Sequence, residues 1–154
     1  MDSREYIFIY PLKTNADLPA DFPQEILSRS FETGVFIPQD DSNRFSQLPR
    51  YPARLLLLEN RSLYIVPHPA SSQIPVEIKL DELLQLETGC ILLLGWINFT
   101  TSVGLQEVVY NTRGSGPLEE FLGFNMSRSP SHLELTGVSR FTKGSRRASL
   151  SAGY

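Results

Sequence analysis

Pro52-Ala53-Arg54-Leu55-Leu56-Leu57-Leu58-Glu59-Asn60-Arg61-Ser62-Leu63-Tyr64-Ile65-Val66 holds two apolar runs joined by the polar stretch Glu59-Asn60-Arg61-Ser62. Two such runs around a short polar break are the pattern of a tight antiparallel hairpin. The chain that follows repeats the pattern. Strands are predicted over 53–58, 62–67, 74–80, 84–88, 91–101 (bent at Gly95) and 105–111. The connections are 59–61, Pro67-His68-Pro69-Ala70-Ser71-Ser72, Asp81-Glu82, Thr88-Gly89 and Ser102-Val103-Gly104. In the third run Ile74, Val76, Ile78 and Leu80 alternate with Glu77 and Lys79, as a half-buried strand with one wet face requires. Short strands at intervals of about ten residues predict an antiparallel sandwich or barrel. Its core is expected to include Leu56, Leu58, Ile65, Ile78 and the sole tryptophan, Trp96, since burying so large an aromatic dominates local packing.

After Asn111-Thr112-Arg113-Gly114-Ser115 the period changes. In Gly116-Pro117-Leu118-Glu119-Glu120-Phe121-Leu122 the proline stands at a first helical position and the acids near the positive end of the dipole. Leu118, Phe121 and Leu122 fall at i, i+3 and i+4. A helix is predicted, with Phe121 on the buried stripe and the open end of the barrel as its place of burial.

Upstream, Glu5-Tyr6-Ile7-Phe8-Ile9-Tyr10 has strand propensity and stops at Pro11. Asp21-Phe22-Pro23 opens a short helix near 22–30, and Gly34-Val35-Phe36-Ile37 is a short strand. The proline-bearing polar stretch 38–52 is read as a loop. The organisation expected is an N-terminal extension over 1–51, whose strand 5–10 is a candidate barrel edge, a barrel domain over 52–124, and a disordered, basic, Ser-rich tail over 125–154.

Composition narrows the chemistry. Cys90 is the only cysteine among 154 residues, so neither an intramolecular disulfide nor a thiolate metal cage can form. No His or Lys stands close to it in sequence to lower its pKa, and an inert buried thiol is expected. His68 and His132 lie far apart. Adjacent Glu119 and Glu120 diverge on a helix and cannot act as an acid/base pair. Gly114-Ser115-Gly116-Pro117 lacks the Lys-Ser/Thr of a nucleotide loop. No enzyme, cofactor or metal is expected.

The net charge of −3 conceals a split. Residues 1–124 hold 9 basic and 16 acidic groups, a net of −7, and residues 125–154 hold 5 basic groups and Glu134, a net of +4. An acidic body argues against nucleic acid as a partner. Met1-Asp2-Ser3-Arg4-Glu5, acidic where a secretory signal is basic, leads to a cytoplasmic expectation, with peripheral membrane attachment as its variant.

Strands followed by one amphipathic helix is the order of a pleckstrin-homology-like barrel. Residues 54–66 resemble the first hairpin of bacterial pleckstrin-homology and GRAM-like domains, where an apolar strand passes through an Asp/Asn-Arg turn into a second strand. Ile74-Pro75-Val76-Glu77-Ile78-Lys79-Leu80-Asp81-Glu82-Leu83 is similar to the next strand and its acidic turn. Leu94–Thr100, Glu107–Thr112 and Gly116–Leu122 fit the remaining strands and capping helix. The resemblance covers 52–124 and implies a non-catalytic module that binds a protein partner or, alternatively, anionic membrane lipid. Phosphoinositide-binding members cluster Lys and Arg around that hairpin. Here the candidates are Arg54 and Arg61, set against Glu59, with Arg140, Lys143, Arg146 and Arg147 in the tail. Arg146-Arg147-Ala148-Ser149 also resembles a basophilic kinase site at Ser149.

Overall fold

The computed structural model describes residues 8–39, 51–126 and 134–140. Nine strands and two helices follow in chain order: β1 Tyr10–Leu12, α1 Gln24–Leu27, β2 Thr33–Ile37, β3 Arg54–Glu59, β4 Ser62–Pro67, β5 Val76–Lys79, β6 Leu83–Ile91, β7 Leu94–Thr101, β8 Gly104–Asn111, α2 Gly116–Met126 and β9 Glu134–Arg140. The fold is mainly β. One sheet has the order β1-β2-β3-β4-β5, all antiparallel. The other has the order β8-β7-β6-β9, an antiparallel meander with β9 parallel to β6.

The two sheets do not close into a barrel. After β5 a 3-10 turn over Leu80–Glu82 carries the chain out of the first sheet, and β6 begins a separate ladder. What joins them is packing. Val35, Ile37, Leu56, Leu58, Leu63, Ile65 and Ile78 of the first sheet share one buried cluster with Leu83, Leu86, Ile97, Phe99, Val108 and Tyr110 of the second. Leu118 and Phe121 of α2 complete that cluster. Helix and sheets thus meet in one core, although α2 does not plug a closed barrel.

The hairpin that decides the fold forms as its turn chemistry dictates. Glu59 pairs with Ser62, so Asn60 and Arg61 are a two-residue loop, with φ of 49° and 61°. Two consecutive left-handed residues define the type I′ turn, whose twist matches that of the flanking strands. All four leucines are buried, because β3 is covered on both faces. Leu56 and Leu58 face the core between the sheets. Leu55 and Leu57 face a second cluster with Leu12, Leu18, Phe22, Phe36 and Val66, to which Ile26, Leu27, Phe31 and Tyr64 add their partly buried surface. Residues before 52 therefore do two jobs: β1 and β2 extend the sheet beyond β3, and the segment around α1 roofs its outer face.

Three polar ties hold that roof. The carboxamide of Asn15 donates to the carbonyls of Leu27 and Arg29 (2.8 and 2.7 Å). His68 meets Asp21 at 2.6 Å through Nε2, while its Nδ1 accepts the Ala70 N–H at 3.1 Å. Since Nδ1 is an acceptor, Nε2 carries the proton and donates to the carboxylate. Arg29 pairs with Glu59 and lies 3.8 Å over the Tyr64 ring.

Four expectations change. Ile74 is exposed instead of facing inward, because Pro75 has no N–H for the ladder and β5 starts at Val76. The connection expected at Thr88-Gly89 lies at Leu92-Leu93, with Gly89 inside β6 opposite Trp96. The helix, expected to end at Gly123 or Pro130, runs to Met126 between them. Residues 134–140, read as part of a disordered tail whose one strand hint is His132-Leu133-Glu134-Leu135, form β9 along the open ladder of β6. The rest of the tail, including Lys143, Arg146, Arg147 and Ser149, lies outside the described residues, as do Tyr6 and Ile7 of the expected edge strand.

Tyr110 carries the one large pKa displacement, pushed up to about 12 mainly by burial, with Cys90 and Glu119 nearby adding to it. Its neutral form is the one the fold prefers, so this stability is intact below about pH 10 and is lost as pH rises toward about 12. Urea titrations are expected to show roughly 2–3 kcal/mol lost over that interval, and Tyr110→Phe to lose correspondingly less. An equal alkaline loss in both proteins would remove Tyr110 as its source.

Candidate binding surface

The second sheet has two unequal faces. Partners across antiparallel strands point the same way, so Ile97 with Val108, Phe99 with Leu86 and Gly95 with Tyr110 look into the core. The opposite face carries Ile91, Leu94 and Asn111 in the row at the turn. Gly89, Trp96 and Val109 form the next row, then Glu87, Asn98 and Glu107. Trp96, expected in the core, is thus half-buried on the outer face. The pleat decides it: with Ile97 and Phe99 turned inward, Trp96 between them and Gly95 must turn outward.

The row at the turn belongs to an unusual loop. Ile91, Leu92, Leu93 and Leu94 are consecutive, and all four are exposed (44, 61, 52 and 37%). Leu92 has a φ of 58°, a left-handed conformation that Gly or Asn adopts at little cost and that is unfavourable by about 1–2 kcal/mol for other residues. Thr112, just past β8, clamps the loop. Its backbone N–H donates to the Leu93 carbonyl at 2.8 Å and its hydroxyl to the Leu92 carbonyl at 3.2 Å. A rigid, strained turn therefore presents four aliphatic side chains to solvent. Contiguous apolar surface of this kind marks contact sites in soluble folds, whereas single exposed apolar residues do not.

Positive charge stands beside it. Arg113 follows Thr112 and is exposed, and the β6–β9 register places Arg140 next to Ile91. Phe8, also exposed, lies beside Gly114, where an added Cβ would stand 3.3 Å from its ring. The nearest helix acid, Glu119, accepts a hydrogen bond from the Ser115 hydroxyl at 3.2 Å.

The first hairpin is not this site. Arg54, a candidate anion contact, is only 3% exposed and donates through Nη2 to the Val109 carbonyl of β8. It shares the inner face with Leu56 and Leu58, so the strand's alternation buries it and makes it a tie between the sheets. Arg61 is exposed and pairs with Asp81 at 2.7 Å, an open ion pair that holds the turn and leaves a single, partly neutralised charge there. The two residues are not brought together. Leu56, Leu58, Ile65, Ile78 and Phe121 all lie in the core as expected. The exposed turn was missed because it contains no Gly, Pro, Asn or Asp.

Reactive groups do not gather. Both ring nitrogens of His68 are engaged in the Asp21 and Ala70 contacts, and Cys90 is half-buried. Among the described residues no group of three or more His, Cys, Asp or Glu side chains could hold a metal ion, and no helix is long and apolar enough to cross a membrane. Comparison with protein-family models, curated proteins and solved structures finds no match.

Proposed function

We propose that this chain is a non-catalytic binding module on a pleckstrin-homology-like plan, and that it meets its target at the β6–β7 end. The succession of β3–β5, β6–β8 and then α2, whose Leu118 and Phe121 share the core with residues of both sheets, supports the plan. The observation that carries the function is the exposed run Ile91–Leu94 on a backbone-clamped turn. A protein partner, the first expectation from sequence, would seat these side chains in an apolar cleft. An anionic membrane surface is the second reading, and the arginine positions flanking the turn favour it.

A photoreactive residue at position 93 of the full chain tests the reading. It is expected to cross-link to a saturable target in cell extract, whereas the same group at position 61 does not. Cross-linking confined to position 61, or absent from position 93, would overturn the assignment of the binding end.

A further inference from the structure

We infer that the Ile91–Leu94 turn inserts into the headgroup region of an anionic lipid bilayer, with Trp96 at the water interface and the exposed Arg113 near the lipid phosphates. This rests on the reading of the β6–β7 end as the contact surface and names its occupant. Three observations favour a bilayer over a protein cleft. The apolar residues form a convex tip whose strained Leu92 is retained where Asn or Gly would relax the backbone, and strain persists where function requires it. Trp96 lies on the outward face two residues behind Leu94, about 7 Å along the strand, the depth at which tryptophan settles at membrane interfaces.

Charge is also graded along the face. The exposed Arg113 borders the tip, while acids on this face of β6–β8 stand in the third row, at Glu87 and Glu107, about 13 Å from the first. That spacing exceeds the Debye length of about 10 Å at moderate salt, so the acids are largely screened from an anionic surface at the tip. Because the whole chain is net negative, charge alone would not hold it there. The aliphatic turn supplies the anchoring, and Arg113 supplies orientation and preference for anionic lipid.

Sedimentation of the full chain with vesicles tests this, using phosphatidylcholine alone and a two-to-one mixture of phosphatidylcholine and phosphatidylserine. Emission from Trp96, the only tryptophan, reports insertion. The chain is expected to sediment with the mixed vesicles and its emission to shift to the blue. Leu92→Asn/Leu93→Ser keeps the fold, since Asn accepts the left-handed position. It is expected to weaken binding roughly 100-fold and to abolish the blue shift. Arg113→Glu should weaken binding roughly 30-fold, for two charge units at about 1 kcal/mol each. Val103→Ser/Leu105→Ser, at the opposite end of the sheet, should bind as the parent does.

A chain left in the supernatant of both mixtures at low salt would overturn the inference. So would a Leu92→Asn/Leu93→Ser protein that binds as tightly as the parent. If vesicles are ignored while position 93 still cross-links to a protein, the bilayer falls and the binding end stands.

Discussion

A chain cut back to residues 52–124 is expected to lose its cooperative fold. Those residues contain the hairpin and both apolar runs, but they leave β3 without β2 along one edge and without the roof over its outer face. Leu55, Leu57 and Val66 would become solvent-exposed, at about 1.5–3 kcal/mol each. Val35 and Ile37 would also vanish from the core between the sheets, and buried aliphatic losses cost about 2–5 kcal/mol each where the surroundings cannot collapse. Together these are as large as the roughly 5–15 kcal/mol by which domains are stable. The shortened chain should show no cooperative thermal transition, poor amide dispersion and aggregation through its bare edge. A 52–124 fragment melting within a few degrees of the parent would show that the first 51 residues are an appendage after all.

The same four leucines show where sequence is transparent and where it is not. The break Glu59-Asn60-Arg61-Ser62 announces its turn because Asn tolerates positive φ, and from that turn the register of β3 with β4 follows. The uninterrupted apolar run carries a second message, that both strand faces are covered. What covers the outer face cannot be read locally, since Leu12, Leu18 and Phe22 lie far away in sequence, the last two in irregular segments. Arg54 and Trp96 are matters of parity. Once Leu56 and Leu58 face the core, Arg54 must face it too, and once Ile97 and Phe99 face it, Trp96 must not. Alternation placed both, and residue character taken by itself misplaced both.

The β6–β7 turn is opaque for a different reason. Turn recognition relies on residues that relieve backbone strain or wet an exposed loop, and Ile91-Leu92-Leu93-Leu94 does neither. Gly89, inside the strand, imitates the missing signal. The feature that hides the turn from sequence reading is thus the one that makes it a contact surface: apolar side chains kept where solubility and backbone geometry both favour polar ones. Of β9 only the hint His132-Leu133-Glu134-Leu135 is legible, because residues 134–140 lack a sustained strand period and pair along the open edge of β6.

Gly95→Ala is expected to be among the most damaging single substitutions in the second sheet. Gly95 pairs with Tyr110 across β7 and β8, and the tyrosine ring occupies the space above it. A Cβ at position 95 would come within 2.6 Å of Tyr110 Cε2 and 2.8 Å of its Oη, closer than any tolerated contact. The ring cannot retreat into the core, which already holds Ile97, Val108 and Phe121 at native density. It must either swing toward solvent, giving up an aromatic burial of roughly 150–250 Å², or push the strands apart. Overpacking usually costs about 1–3 kcal/mol. With a rigid aromatic as the obstacle the upper end of that range is expected, lowering Tm by roughly 5–10 °C for a chain of this size. Tyr110→Val removes the obstacle at its own cavity cost, so Gly95→Ala/Tyr110→Val should be more stable than the sum of the single changes by about 1 kcal/mol or more. Additive single effects, or a Gly95→Ala protein melting with the parent, would mean that the ring does not rest on the glycine.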